Sequence, residues 1–267
     1  MKFTIIGADG FIGSRVCSYL AAHRDWKCER IGRRDALPLG RHCGHIFYCI
    51  GVSGDFLQRP LDTMAAHVGV LERVLRECEF DSLLYLSSTR VYQRSNSTSE
   101  TSEITVQPAE LSDLYNISKL AGEALCFSDR RETVRIARLS NIFDDSFTSP
   151  TFLTELFRQA KSSKKIQLHS APDSAKDYLL LEDMLPLLAK IASQGRERIY
   201  NVASGVNTPN QAITDVFAKV LKCAVHYAPN APTVIHPCMD VARIAGEFSF
   251  QRGDFLGSLA RSLTRAN

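Results

Sequence analysis

Tyr115 and Lys119 stand four residues apart in the segment YNISK. On a helix that spacing puts both side chains on one face, about one turn apart. An ammonium beside a phenol favours the phenolate and lowers its pKa from about 10 toward neutrality. A tyrosine tuned in this way can pass a proton to or from a carbonyl or alcohol oxygen. A hydroxyl-rich run, LSSTRVY, which contains Ser88, lies between this pair and the start of the chain. Taken alone, a Tyr-x-x-x-Lys pair is equally an ordinary helix-surface pair, and Ser88 is equally a turn hydroxyl. What raises both above coincidence is the start of the chain, where KFTII runs straight into GADGFIG.

In that loop Gly7, Gly10 and Gly13 follow a strand and open a helix. Gly7 allows the tight turn, Gly10 lets backbone approach a pyrophosphate, and Gly13 lets helix pack on strand. The first helical turn, with Phe11 and Ile12, then presents free N–H groups and a positive dipole end to phosphates. Ile50 and Gly51, at the end of the run IFYCI, complete this side of the candidate cofactor site. The second strand ends in RIGRRD. An acidic residue there usually binds the ribose 2′-OH of NAD. Arg33 and Arg34 stand there instead, and two guanidiniums suit a 2′-phosphate, so the pattern favours NADP(H). NAD(H) remains open because Asp35 can reach a ribose, and a solvated basic loop is the plainer alternative.

The elements that must position these residues follow from the hydrophobic pattern. Short apolar runs alternate with helical patterns, which predicts an α/β fold with a doubly wound parallel sheet. Strands are expected at Lys2–Ile6, Lys27–Ile31, Ile46–Ile50, Ser82–Leu86 and Thr133–Ala137. Helices are expected at Phe11–His23, Thr63–Cys78, from Ser112 or Asp113 through YNISK to Phe127, and near Thr151–Ala160 and Thr208–Leu221. The connection Arg33–Gly44 is too short for a strand-and-helix unit, since a crossover needs at least ~10–12 residues including its helix. An outer strand after the second one is therefore expected to be missing.

With 267 residues, 45% hydrophobic and 23% charged, the chain has ordinary globular values and can bury a large core. A net charge of +3 is too small to imply a nucleic-acid partner. No apolar run is long enough to span a membrane. The eight cysteines show no CxxC pair and no zinc spacing, and read as reduced packing thiols of a cytoplasmic protein with no metal site. His67, on a mostly apolar helix, reads as a satisfied structural histidine.

The glycine loop, the Ser88 cluster and YNISK together resemble the extended short-chain dehydrogenase/reductase superfamily, in its branch of nucleotide-sugar epimerases and dehydratases. The likeness continues through RLSNIFDD (Arg138–Asp145), KDYLLLEDM (Lys176–Met184), YNVASG (Tyr200–Gly205) and DVARIAGEFSF (Asp240–Phe250). The resemblance implies a dinucleotide-binding domain (1–142 and 175–204) and a smaller C-terminal substrate lobe (143–174 and 205–267) closing over a nucleotide-diphosphate sugar. It implies Ser88, Tyr115 and Lys119 as the catalytic set, with Lys119 also on the nicotinamide ribose. It sets Asn141 and Lys176 toward the substrate, Lys176 near its diphosphate. Arg90 stands where dehydratases of the family carry Glu, which removes support for elimination. His67 replaces a usual Asn. A homodimer built on helices Thr63–Cys78 and Tyr115–Phe127 is expected. Three readings result: a reductase using NADPH on a keto sugar, a 4-epimerase with retained cofactor, and a non-catalytic dinucleotide sensor, against which the intact Ser88, Tyr115 and Lys119 count.

Overall fold

A computed structural model describes residues 1–52 and 54–267. The elements, in chain order, are β1 (Lys2–Ile6), α1 (Phe11–Ala21), β2 (Lys27–Ile31), β3 (His45–Tyr48), α2 (Pro60–Met64), α3 (Val70–Glu77), β4 (Ser82–Ser88), α4 (Leu114–Ser128), β5 (Val134–Leu139) and β6 (Asn141–Phe143). They continue with α5 (Phe152–Ser163), β7 (Lys165–Leu168), β8 (Ala175–Leu180), α6 (Leu181–Gln194), β9 (Ile199–Val202), β10 (Asn207–Pro209), α7 (Asn210–Leu221), β11 (Ala224–Tyr227), α8 (Ala242–Phe248) and α9 (Phe255–Arg265). A π-helical turn, Ala65–Gly69, joins α2 to α3.

The central sheet is parallel throughout, in the order β2-β1-β3-β4-β5-β9. Its strands alternate between two buried faces, as a period of two requires. Phe3, Ile5, Phe47, Leu84 and Leu86 pack on one side with Val16 and Leu20 of α1 and Met184, Leu188 and Ile191 of α6. Ile6, Ile46, Tyr48, Leu83 and Tyr85 pack on the other with Leu71 and Val74 of α3 and Cys126 of α4. Helices thus cover both faces, and the strand order reverses between β1 and β3, which opens a crevice at the carboxyl ends of those strands.

β2 is an edge strand, as the short Arg33–Gly44 connection requires. That connection makes one isolated bridge, His42 to Glu79, and tucks Leu37 and Leu39 against the α3 side of the core. The expected strands and helices agree with the observed ones to within a few residues at their ends. β3 ends at Tyr48 rather than Ile50, so Cys49–Val52 is irregular chain leaving the sheet.

A second cluster is drawn from residues 143–180 and 213–263, with Phe143, Leu156, Ile166, Phe217, Leu221, Phe255 and Leu259 at its centre. β8 joins the two packing regions: Leu179 points into the main core, Tyr178 and Leu180 into the second cluster. A three-stranded sheet, β10-β8-β6, and the pair β11-β7 complete the fold. All eight thiols are free. Among the described residues no helix is long and apolar enough to cross a membrane, and no cluster of His, Cys, Asp and Glu is arranged to hold a metal.

Candidate active site

The glycine loop is set by contact and by backbone angle. Gly7 has φ +94°, in the region that favours glycine, and a Cβ there would lie 2.8 Å from the backbone of Cys49. At Gly13 a Cβ would lie 2.2 Å from the Gly7 carbonyl oxygen, so only glycine lets α1 sit this close to β1. Gly10 is different: a Cβ there would meet only the Gly7 carbonyl oxygen, at 3.3 Å. Nothing packed inside the chain forbids a side chain at Gly10, so its lack of one leaves a cradle open above the start of α1. That helix has neither a side-chain cap nor an acidic residue in its first turn. Its N–H groups and positive end are free for an anion, and the residues present fit a dinucleotide pyrophosphate.

A cavity of about 410 Å³ rises from this cradle, lined by Gly10, Phe11, Ile12, Ile50, Gly51, Val52, His67, Ser88, Tyr115, Lys119, Asn141 and Tyr178, among others. A second cavity, also about 410 Å³, is lined by Ser88, Thr89, Arg90, Gln93, Tyr115, Asn141, Lys176, Asp177 and His236, with Ser140, Pro237 and Met239. Ser88, Tyr115, Leu139, Ser140 and Asn141 belong to both walls. The proton-handling candidates therefore stand where the two cavities meet. The hydroxyls of Ser140 and Tyr178 are buried behind these walls without a hydrogen-bond partner among the described residues.

β4 delivers Ser88 at its carboxyl end, and α4 delivers Tyr115 and Lys119. Lys119 is buried, donates to the Leu86 carbonyl at 2.9 Å, and lies 5.9 Å from the centroid of the Tyr115 ring. Burial lowers its pKa from 10.5 to about 8, against the opposing pull of Glu123. Glu123 itself is held by Arg138 at 2.6 Å and by the Ser87 hydroxyl at 2.5 Å, a buried network that ties α4 to β4 and β5.

The sequence pattern led to the expectation that Lys119 would lower the pKa of Tyr115. The structure corrects that. Burial raises the phenol above its ordinary value, and the groups that pull it back are the Ser88 hydroxyl and the Arg90 guanidinium. The ring is set by Phe56 and His67, each 5.5 Å away between centroids.

His67 is fully buried. Its Nε2 accepts the Val52 N–H at 3.2 Å, and its Nδ1 faces the Ser118 hydroxyl at 2.8 Å, which in turn donates to the Tyr115 carbonyl. An Nε2 acceptor fixes the neutral tautomer with the proton on Nδ1. Burial and the Lys119 charge push its pKa down to about 3.

The remaining sequence candidates fall in different places. Ile50 and Gly51 line the first cavity; a Cβ at Gly51 would sit 3.3 Å from His67 Nε2. Asn141 donates to the Asp177 carbonyl at 2.8 Å. Lys176 lies in the second cavity beside the Phe152 ring, and burial and the Arg90 charge lower its pKa. Gly7 and Gly13 shape the turn but do not line the cavity. Arg33 and Arg34 are exposed at the sheet edge, outside both linings.

Four residues in and around the site stand out among those not singled out for it from the sequence. Asp9 accepts the Arg33 N–H at 2.9 Å and so ties the glycine loop to the end of β2. Tyr178 shares a strand face with Lys176, a relation readable from the period of two. Ser140 lies between the two strands that flank the cavities. His236 arrives from an irregular segment far down the chain, where a single bridge joins Ile235 to Ala175, and no local pattern announces it.

A doubly wound sheet, a glycine turn at its switch point, Ser88 and Tyr115 on the walls of both cavities and Lys119 on the wall of the first make an arrangement that fits a dinucleotide-dependent class of enzyme. The model of the NAD dependent epimerase/dehydratase family matches residues 3–203, and the chain belongs to that family. No curated protein sequence matches it. Similar solved structures include RMD from Pseudomonas aeruginosa complexed with NADPH (19% identity, TM-score 0.78, covering 99% of this chain and 98% of that one). UDP-glucuronic acid 4-epimerase from Bacillus cereus, in complex with UDP-glucuronic acid and NAD, is 14% identical with TM-score 0.79, and each chain is covered in full. dTDP-glucose 4,6-dehydratase from Bacillus anthracis, in complex with NAD, is 16% identical with TM-score 0.75, covering 98% of this chain and 95% of that one.

Proposed function

We propose that this chain is an NADPH-dependent reductase of a keto group on a nucleotide-diphosphate sugar. The observation that carries the reading is the junction itself: Ser88 and Tyr115 line both cavities, one leading to the glycine cradle and one to a basic pocket. A nicotinamide dinucleotide in the first cavity would supply the hydride, held by Gly10, Phe11, Ile12, Ile50, Gly51 and Lys119. The kinship with proteins solved with NADPH, NAD and UDP-glucuronic acid supports both ligand classes.

In this reading Tyr115 gives its proton to the carbonyl oxygen of the substrate and Ser88 hydrogen-bonds that oxygen. A phenol raised by burial keeps its proton at neutral pH, which suits a donor in the reducing direction. Lys119 restores charge balance beside it and holds the ribose. Asn141 and Lys176 position the sugar nucleotide, with Lys176 toward the diphosphate, and the lobe formed by 143–174 and 205–267 closes over it. Arg33 and Arg34 select the 2′-phosphate. The working form is a homodimer through the helices around α3 and α4.

The test follows the absorbance of reduced nicotinamide when purified protein meets NADPH or NADH and a panel of keto-sugar nucleotides. Net oxidation of NADPH is the expected result. An isomerised sugar nucleotide with no net change in absorbance would replace the reductase with a 4-epimerase.

A further inference from the structure

The second cavity holds a cation that the proposed chemistry does not use. Arg90 follows Ser88 by two residues, and its backbone N–H donates to the Ser88 hydroxyl at 3.2 Å. Its guanidinium carbon lies 5.5 Å from the centroid of the Tyr115 ring and 5.1 Å from that of Phe56, so two aromatic faces fix the plane of the fork. The protein gives this fork only neutral acceptors, the Ser112 carbonyl at 3.2 Å and the Gln93 side chain at 3.4 Å. No carboxylate lies within ion-pair distance of it among the described residues. The one acid in the cavity wall, Asp177, is taken up by the turn after β9, accepting from the N–H groups of Ser204, Gly205 and Val206 and from the Ser204 hydroxyl. Lys176 and His236 lie in the same wall; burial and the Arg90 charge lower the pKa of Lys176, and burial with the charges of Lys176 and Arg90 lowers that of His236. A fork-shaped cation so placed is complementary to a planar carboxylate. Because Arg90 and Ser88 belong to one turn, any group it binds lies within a side chain's reach of the reacting oxygen.

We propose that Arg90 selects for an acid on the reacting sugar: the substrate is a nucleotide-linked uronate, or a sugar of like acidity, whose carboxylate pairs with the Arg90 guanidinium. This rests on the reading of the site as one for sugar nucleotides. Lys176, on β8, remains the residue for the diphosphate, which leaves Arg90 for the sugar.

The test is titration calorimetry of the intact protein with matched pairs: glucose and glucuronate linked to UDP and to dTDP, mannose and mannuronate linked to GDP. In at least one pair the uronate should bind at least about tenfold tighter than its neutral partner. Arg90→Gln should bring that ratio close to one, and Arg90→Lys, which keeps the charge without the fork, should fall between. Equal affinity within every pair for wild type would overturn the proposal, and so would an Arg90→Gln variant that weakens both members alike, since Arg90 would then hold the diphosphate. Either result leaves the nucleotide-sugar reading standing. Failure of every member of every pair to bind would overturn both.

Discussion

Lys119 carries a charge in a place that disfavours it, and replacing it with methionine should make the protein more stable while abolishing turnover. The ammonium is buried, and its pKa falls from 10.5 to about 8. That difference corresponds to roughly 3 kcal/mol of preference for the neutral form. Methionine keeps most of the volume without the charge, but gives up the hydrogen bond to the Leu86 carbonyl, worth about 1 kcal/mol. Glu123 keeps its partners Arg138 and Ser87, so no second charge is stranded. A net gain on the order of 1–2 kcal/mol at neutral pH is expected. The gain has a pH signature. Between about 8 and 10.5 the unfolded chain holds the lysine proton and the folded chain has released it, so the wild type gains stability as pH rises through that window. Below about 8 both states are protonated and the cost is fully present. Urea unfolding of wild type and Lys119→Met at neutral pH and near pH 10, without cofactor, measures the difference, because His67 and Cys49, the buried groups that feel the Lys119 charge, stay neutral across that window. The advantage of the variant should be largest at neutral pH and shrink toward pH 10. A variant less stable than wild type at neutral pH, or a gap that does not move with pH, would refute the reasoning.

Tyr115→Phe should lose turnover by ~10²–10⁴-fold while cofactor binding and fold survive, because the ring contacts with Phe56 and His67 are kept; steady-state rates beside a cofactor titration check it, and near-normal turnover removes the assignment. Wild type should bind NADPH more tightly than NADH, and Arg33→Ala should narrow that preference; tighter binding of NADH by wild type refutes the role of the arginine. Light scattering at micromolar concentration should give a dimer mass, and a monomer mass that persists on concentrating would be the end of the dimer proposal. Of the apolar side chains that suggested it, Leu120 and Leu125 find partners inside the chain and Phe127 stays 47% exposed, so the burden of the interface falls on Phe127 and its neighbours.

What was legible in the sequence was whatever rests on local pattern. The short apolar runs between helical patterns located the central strands, and the length of Arg33–Gly44 showed that β2 would be an edge. The three glycines marked the turn because two of them answer steric needs that no other residue meets. YNISK and LSSTRVY marked the residues that the structure brings to one junction. What was not legible depended on distant chain segments. His236 reaches the second cavity only because the segment after β11 crosses back along β8. The pKa of Tyr115 was misjudged because spacing reports that Lys119 is near but not how dry the site is. Once β4, α4 and the Phe56 loop close around the phenol, desolvation exceeds the combined pull of the Ser88 hydroxyl and the Arg90 charge.

The histidine at position 67 shows how a departure from a family pattern can be absorbed. It sits in the π-helical turn between α2 and α3, a local widening of the helix of the kind found at functional sites. There the imidazole reaches both ways: it accepts from Val52, at the exit of β3, and meets Ser118, one residue before Lys119. One side chain therefore clamps the Ile50–Val52 segment to the helix that carries Tyr115 and Lys119. The clamp requires a neutral ring, and burial beside a buried ammonium provides one, since the pKa of His67 lies near 3. A protonated His67 would lose its bond to Val52 and face Lys119 with like charge. His67 thus does not titrate across the neutral range, and any pH dependence of activity there must come from other groups. The nearest is Lys119, whose charge is lost above about pH 8.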